Sequence, residues 1–318
     1  MTTQGADPQA LMAGLADRLG AALVGHAGLI ERLLIGLLAG GHLLIEGPPG
    51  IAKTRAVKEL AAAIDGGFAR IQCTPDLLPS DLTGTPVLRP ETGRFEFMKG
   101  PVFHNIVLAD EINRAPPKVQ SALLEAMAEA QVTSGPETHR LPRPFFVIAT
   151  QNPIEHEGTF PLPEAQLDRF LLHVSLGLPD AETERQILDL VEREGSTPSR
   201  GGPVLDTGQV LRAAEAAMAV HLAPPLRDYI VRLVMATRTA PFRDWIDYPV
   251  SPRGSLALAS AAKARAWLAG RDHALPEDVA VVASDALAHR MVLTWSAVAD
   301  GRTARGLIDE ILAAVPAL

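Results

Sequence analysis

The segment Gly47–Thr54, GPPGIAKT, has residue types and a spacing suited to binding phosphate groups. It follows an apolar run at His42–Glu46 that predicts a strand, and it leads into a predicted helix that begins at Lys53. The backbone amides of such a loop and of a helix N-terminus hold phosphate oxygens. In this pattern Lys53 would reach the β- and γ-phosphates, and the Thr54 hydroxyl would bind Mg²⁺. A plain strand–helix turn with a solvent-facing lysine is the alternative interpretation.

One position departs from the phosphate-loop pattern GxxxxGK[ST], because Ala52 stands where the second glycine is expected. We expect the extra methyl group to be tolerated if Ala52 already has helical backbone angles at the start of the helix. The residues predicted to contact the phosphates are Gly47, Pro48, Pro49, Gly50, Ile51, Ala52, Lys53, Thr54 and Arg55.

Two adjacent carboxylates end a second apolar run, Ile106–Glu111 (IVLADE). A buried strand that delivers acids at its carboxyl end places them in the ligand crevice of an α/β sheet. Asp110 would then hold Mg²⁺, usually through water, and Glu111 would orient and deprotonate an attacking water molecule. A strand that simply ends in solvated acids is the alternative.

A third apolar run, Ile148–Pro153 (IATQNP), ends in the amide Asn152. A side-chain amide at this place can bond both a water molecule and a γ-phosphate oxygen. Read alone, Asn-Pro is more typical of the start of a turn.

Two arginines lie at the ends of predicted helices. Arg169 closes a short helix in LPEAQLDRF, where it could act as an arginine finger on a neighbouring subunit, a role worth ~10³–10⁵ in rate. Arg253, in SPRG, opens a helix and could fold a helical domain over the nucleotide. An Asp168–Arg169 surface pair and an ordinary helix N-terminus are the corresponding alternatives.

Five short apolar segments alternate with helical patterns, which predicts an α/β fold with a parallel five-stranded sheet covered by helices on both faces. These segments are His42–Glu46, Ala69–Thr74, Phe103–Ala109, Phe145–Thr150 and Leu171–Leu176. Only helical patterns follow a Gly/Pro/Ser-rich stretch near residue 200, and they predict a small all-helical lid domain. The predicted divisions are an N-terminal extension (1–20), the α/β domain (21–194), a linker (195–208) and the helical lid domain (209–318).

Composition limits the partners and the compartment. The net charge of −8 argues against a general nucleic-acid surface. The single cysteine, Cys73, fits a reducing, cytoplasmic setting, and no segment is apolar enough to predict a membrane span. Glu155-His156-Glu157 lacks metal-ligand spacing, so we do not expect a metal there.

The chain resembles the MoxR family of AAA+ P-loop ATPases over roughly residues 21–292. The resemblance rests on the motifs above and on three blocks, RIQCTPDLLPSDLTG, GPVFHNIVLADEINRAPPKVQSALLEAM and ATQNPIEHEGTFPLPEAQLDRF. It implies that GPPGIAKT is the Walker A motif and LADE the Walker B motif. Asn152 would be sensor one, Arg169 the arginine finger and Arg253 sensor two.

The same resemblance implies further features of the site and of the surface. The adenine would pack against Val24 and Gly25. Hairpins near 85–97 and 132–141 would project toward a central pore or a partner.

The resemblance also implies an assembly and a role. These are an ATP- and Mg²⁺-dependent homo-oligomer in the form of a hexameric ring, and a chaperone-like function in maturation or cofactor insertion of partner proteins. A separate protein with a von Willebrand factor A domain would be a partner.

Three other functions stay open on the sequence. A nucleotide-gated assembly module would bind ATP with little turnover, and a DNA motor would show salt-sensitive stimulation by DNA. A metal-chelatase motor subunit would respond instead to a chelatase-type partner.

Overall fold

The computed structural model describes residues 7–135, 137–153, 158–194 and 202–317. Within these ranges the α-helices are α1 (Pro8–Ala22), α2 (Ala27–Ala39), α3 (Lys53–Ala63), α4 (Pro79–Thr83), α5 (Pro117–Glu129), α6 (Glu164–Leu167), α7 (Ala181–Glu194), α8 (Thr207–Met218), α9 (Pro224–Ala236), α10 (Pro252–Leu268), α11 (Pro276–Leu287), α12 (Trp295–Ala299) and α13 (Ala304–Ala314). The strands in the same ranges are β1 (Leu43–Glu46), β2 (Ile64–Asp65), β3 (Phe68–Gln72), β4 (Gly84–Arg89), β5 (Arg94–Lys99), β6 (Ile106–Asp110), β7 (Gln131–Ser134), β8 (Glu137–Arg140), β9 (Phe146–Gln151), β10 (Leu172–Ser175), β11 (Leu205–Asp206), β12 (Ile246–Tyr248) and β13 (Val292–Leu293).

The central sheet has five parallel strands in the order β10-β1-β9-β6-β3. This arrangement has helices on both faces and is followed by helices α8 to α13, which we call the helical region. It confirms the predicted fold class. Parallel pairing brings all five carboxyl ends to one edge of the sheet. Glu46 lies opposite Gln151 and Ser175 in the register, and Gln72 lies opposite Asp110. We call this side the carboxyl edge and the opposite side the amino edge.

Each face of the sheet buries a separate core because successive side chains point to opposite faces. On β6, Ile106 and Leu108 join the core formed with α1, α2, α3 and the later helices. Val107 and Ala109 join the other core, with α4 and α5. Burial on both faces explains why the strands have continuous apolar sequences.

Helix α1 packs into the first of these cores. Its residues Met12, Leu15 and Leu19 are buried, and the helix contacts α2, α3 and α8. Residues 8–22 thus form part of the packed body, although the sequence alone suggested an extension.

The two segments predicted as hairpins are antiparallel pairs, β4 with β5 and β7 with β8. They are in contact with each other, because the rings of Phe97 and His139 stack with centroids 4.1 Å apart. Phe103 packs edge-on against both rings. The exposed side chains Leu88 and Phe95 face each other across the first hairpin.

The described part of the segment predicted as a linker contacts both the α/β domain and the first helix of the helical region. Residues 195–201 lie outside the described ranges. Leu205 and Asp206 pair with β2 in parallel, and Asp206 forms a reciprocal cap with Gln209 at the start of α8. Helices α8 and α10 then pack on α2.

A buried carboxylate links three parts of the helical region. Asp278 has a fully buried side chain that accepts hydrogen bonds from Arg265 at 2.6 Å, from Arg271 at 2.7 Å and from the Leu275 amide at 2.8 Å. Burial by itself would raise the pKa of Asp278, but these donors outweigh it and the pKa lies below its usual value.

We expect Asp278→Asn to lower the free energy of unfolding by ~3 kcal/mol near neutral pH, because it leaves two arginines without their buried charge partner. The carboxylate contributes its stability above the unfolded pKa of about 4 and loses it as pH falls through the lower folded value. The difference between wild type and variant should therefore shrink in acid. Denaturant titrations across pH test this, with the exposed Asp272→Asn as a control that should change little.

Candidate nucleotide-binding site

The loop after β1 closes tightly at Gly47. A Cβ atom there would lie 2.4 Å from the Ile51 side chain and 2.9 Å from the Leu176 carbonyl oxygen, so no larger residue fits. Gly50 has φ of +86° and open space around it. The loop is therefore tightly packed at Gly47 and open at Gly50, and backbone amides of such a loop can hold phosphate oxygens.

Ala52 has a left-handed backbone, with φ 61° and ψ 13°, and α3 begins only at Lys53. The expectation that Ala52 has helical angles is therefore wrong. The loop keeps the conformation that favours glycine, and the alanine accepts it at a cost of ~1–2 kcal/mol.

The functional groups of Lys53 and Thr54 turn toward the neighbouring strands. The Lys53 ammonium donates hydrogen bonds to the carbonyl oxygens of Gly47 and of Gln151, the second at 3.0 Å. The Thr54 hydroxyl donates to an Asp110 carboxylate oxygen at 3.1 Å. The phosphate loop and the acidic strand end thus meet at one point.

Asp110 is buried, and its carboxylate is held by three different elements. It accepts hydrogen bonds from Thr150 on β9 at 2.6 Å, from Thr54 on α3, and from Arg70 on β3 at 2.7 Å. Burial would raise its pKa, yet the hydrogen bonds from Thr150, Arg70 and Thr54 hold the pKa below its usual value. An ionised carboxylate beside a hydroxyl oxygen fits a hard divalent cation such as Mg²⁺.

Glu111 turns the chain sharply at the end of β6. Its backbone is left-handed, with φ 58°, and its amide donates to the Thr150 hydroxyl at 2.9 Å. Its carboxylate accepts hydrogen bonds from Gln72 at 3.1 Å and from Arg114 at 3.2 Å. The side chain is therefore held next to Asp110 without being buried.

Arg70, Gln72 and Thr150 also contact the two acids, although the sequence motifs did not indicate them. Arg70 and Gln72 alternate on the edge strand β3, so both point to the same face, and a hydrogen bond of 2.8 Å joins them. A charged and an amide side chain at this spacing, in an otherwise apolar strand, were the available signal. Their contacts with Asp110 and Glu111 depend on the pairing of β3 with β6, which the sequence does not specify.

Asn152 is buried directly after β9, and its backbone carbonyl accepts a hydrogen bond from Asn113 at 3.4 Å. It lies at the carboxyl edge, just beyond the end of β9, the strand between β1 and β6. This is the place where an amide could reach both the loop and the acids.

Of the two predicted adenine contacts, Val24 lines a cavity next to the phosphate loop, and Gly25 lies between the lining residues Val24 and His26. Pro49 to Ala52 form one wall of this cavity, and Ile187 and Val191 of α7 form another. Gly25 has φ of +78°, and a Cβ atom there would lie 2.1 Å from Thr183. Helix α7 therefore packs directly on the segment before α2 and closes the cavity.

Arg169 lies at the opposite side of the sheet. It precedes β10, whose first residue, Leu172, is in register with Leu43 at the start of β1. Its side chain is exposed and donates a hydrogen bond to the Leu124 carbonyl of α5 at 2.6 Å.

Arg253 is close to the same position. Its guanidinium lies 3.6 Å from an Asp168 carboxylate oxygen, and Ser251 also donates a hydrogen bond to Asp168. The structure therefore places Arg253 at the amino edge beside Arg169, whereas the sequence left open whether it serves the nucleotide of its own chain or of another.

No metal cluster supplements this site among the described residues, where no three His, Cys, Asp or Glu side chains come together. The segment Glu155-His156-Glu157 lies outside those residues. Cys73 is buried, and burial together with the charges of Asp110 and Glu111 raises its pKa to about 12. Within the described ranges, no helix has the length and apolarity needed to cross a membrane.

The phosphate loop after the first strand, the acidic end of β6 and the helical region after the sheet define a class, the AAA+ phosphate-loop ATPases. The family model described as "ATPase family associated with various cellular activities (AAA)" matches residues 42–172. A model described as "AAA lid domain" matches residues 242–311.

Similarity extends along nearly the whole chain. Chaperone MoxR1 of Mycobacterium tuberculosis is 48% identical over 92% of this chain and 78% of its own length. Protein MoxR of Paracoccus denitrificans is 34% identical over 94% of each chain. The crystal structure of a protein from Cytophaga hutchinsonii, described as a "putative ATPase", superposes with a TM-score of 0.88 at 44% identity, covering 97% of this chain and 95% of that one. The chain belongs to the MoxR family of AAA+ ATPases.

We expect Ala52→Gly to raise the free energy of unfolding by about 1 kcal/mol, because glycine adopts a left-handed backbone without strain. The matched control is Ala13→Gly, on an exposed helical position of α1, which should lower it by about 0.5–1 kcal/mol. Chemical denaturation of both variants gives the comparison. A loss of stability in Ala52→Gly as large as that in the control would contradict the left-handed assignment.

Proposed function

We propose that this protein hydrolyses ATP at sites shared between neighbouring subunits of a ring, and that the cycle remodels a protein partner. One observation carries the proposal. Lys53, Asp110 and Glu111 lie at the carboxyl edge of the sheet, whereas Arg169 and Arg253 lie at the amino edge. A second copy would bring the two sets together.

The residues of the carboxyl edge would bind the nucleotide. The loop amides and the Lys53 ammonium would hold the β- and γ-phosphates once the ammonium exchanges its carbonyl partners for phosphate oxygens. Val24 and Gly25 would contact the adenine. Thr54 and Asp110 would hold Mg²⁺, which supplies charge neutralisation at the phosphates.

Glu111 and Asn152 would act on the attacking water. The Glu111 carboxylate is exposed enough to reach water and would accept its proton. In the present conformation Gln72 and Arg114 occupy this carboxylate, so Glu111 must leave at least one of them to act as a base. Asn152 would orient the water and a γ-phosphate oxygen.

Arg169 and Arg253 would complete the site of the neighbouring subunit. The exposed guanidinium of Arg169 would stabilise charge on the transferred phosphoryl group, so an isolated subunit should be nearly inactive. A head-to-tail interface that repeats gives a closed ring when the rotation between copies closes, and family membership favours a hexamer.

The name of the mycobacterial relative supports a chaperone role. The client would be a protein, and a separate protein with a von Willebrand factor A domain would be a partner. The exposed Leu88 and Phe95 of the first hairpin offer an apolar contact to such a partner. We place this activity in the cytoplasm.

We expect Lys53→Ala to abolish ATP binding, because the loop loses the cation that faces the phosphates. Lys58→Ala, an exposed lysine on the same helix α3, is the matched control and should leave affinity unchanged. Titration of each protein with a fluorescent ATP analogue measures both. If Lys53→Ala retained its affinity for ATP, the assignment of this loop as the phosphate-binding loop would be contradicted.

We expect inactive subunits of two kinds to restore turnover when mixed. Glu111→Gln subunits keep Arg169 but lack the base, and Arg169→Ala subunits keep the base but lack the finger. Mixed interfaces then contain complete sites, and phosphate release should rise with protein concentration. A protein that binds ATP and assembles without any phosphate release in wild type would instead be a nucleotide-gated assembly module.

A further inference from the structure

A single carboxylate stands between the two arginines that face away from the chain's own nucleotide site. Asp168 immediately precedes Arg169 in the sequence. Its carboxylate accepts a hydrogen bond from Arg290 at 2.9 Å and another from Ser251 at 3.2 Å. It also lies 3.6 Å from the guanidinium of Arg253. Both the finger and the arginine of the helical region are thus adjacent to Asp168.

Arg290 fixes the backbone around the finger. It is 6% exposed, and its guanidinium donates hydrogen bonds to the carbonyl oxygens of Phe170 at 2.5 Å, Leu171 at 3.1 Å and Asp168 at 3.3 Å. A further bond goes to Ala286 on its own side. A buried arginine whose donors are satisfied in this way is a rigid connection, because separating it from its partners would leave an uncompensated charge in the protein interior.

The neighbouring residue of the helical region reinforces the connection. The His289 ring lies 3.2 Å from the Phe170 carbonyl. The carbonyl groups on both sides of Arg169 are therefore held by residues of the segment Ala288–Arg290. The backbone of the finger and the helical region must move together.

The two ion pairs of Asp168 differ in strength. In the pair with Arg290 the nitrogen and the carboxylate oxygen are 2.9 Å apart, and the arginine side chain is only 3% exposed. The pair with Arg253 is long, and the side chain of Arg253 is 57% exposed. Arg253 can therefore exchange Asp168 for a phosphate oxygen while Arg290 keeps the junction in place.

We propose that Asp168, clamped by Arg290, is the positioning residue that holds Arg169 and Arg253 as one unit for the nucleotide of the neighbouring subunit. This inference rests on the proposed shared site and adds its regulation. A movement of the helical region in one subunit shifts the finger that serves the next one, which couples adjacent sites.

The test uses the mixture of Glu111→Gln and Arg169→Ala subunits, in which only the first kind donates a finger. Asp168→Asn placed in the Glu111→Gln subunits should lower the turnover of the mixture ~10- to ~100-fold, since small displacements of a positioned group cost that much. The same change placed in the Arg169→Ala subunits should alter turnover less than about twofold, because their finger is already absent. ATP affinity should stay the same in both.

If Asp168 only supports the fold, Asp168→Asn should lower turnover by a similar factor in either kind of subunit. That result, or no loss from the donor side, overturns the inference while the shared site stands. If the parent mixture shows no turnover although wild type does, the shared site fails and this inference fails with it. Asp168→Glu in the donor should recover more activity than Asp168→Asn. Glu310→Gln, which removes a surface ion pair with Arg302, is the control and should change nothing.

Discussion

The carboxylate of Asp110 must stay ionised inside the protein, and this constraint organises the candidate site. Burial opposes the charge, so donors from three elements have to converge on it: Thr54 from α3, Arg70 from β3 and Thr150 from β9. Each contact requires parallel strands that end at the same edge. The same carboxylate is suited to Mg²⁺, so the half-exposed guanidinium of Arg70 occupies a position that a divalent cation would compete for.

The second constraint is the attachment of the helical region to the amino edge. Arg290 and His289 bind the backbone around Arg169, and α8 and α10 pack on α2. This region therefore lies where it can present arginines to another copy. In the assembly that we propose, the groups that bind the nucleotide would lie at one edge and the arginines that act on the neighbouring site at the other, which is the asymmetry of a head-to-tail interface.

Local sequence was sufficient for the sheet and for most of the carboxyl edge. All five predicted strands are present with boundaries shifted by a few residues, because apolar runs of this length between helical patterns allow few other structures. Ala52 was misjudged since a helix that begins at Lys53 does not reveal the angles of the residue before it. Met12, Leu15 and Leu19 of α1 gave a helical pattern, yet only their burial shows that this helix belongs to the core.

The sequence by itself determined the kinds of chemistry available: a lysine and a threonine after one strand, two acids after another, an amide after a third, and the order of all three. Tertiary structure alone decided which side chains touch Asp110 and on which edge Arg253 lies. The physical reason is the distance along the chain. A strand end follows from its own few residues, but the contact between Arg290 and Asp168 joins positions 122 residues apart and exists only once the helical region has packed on the sheet.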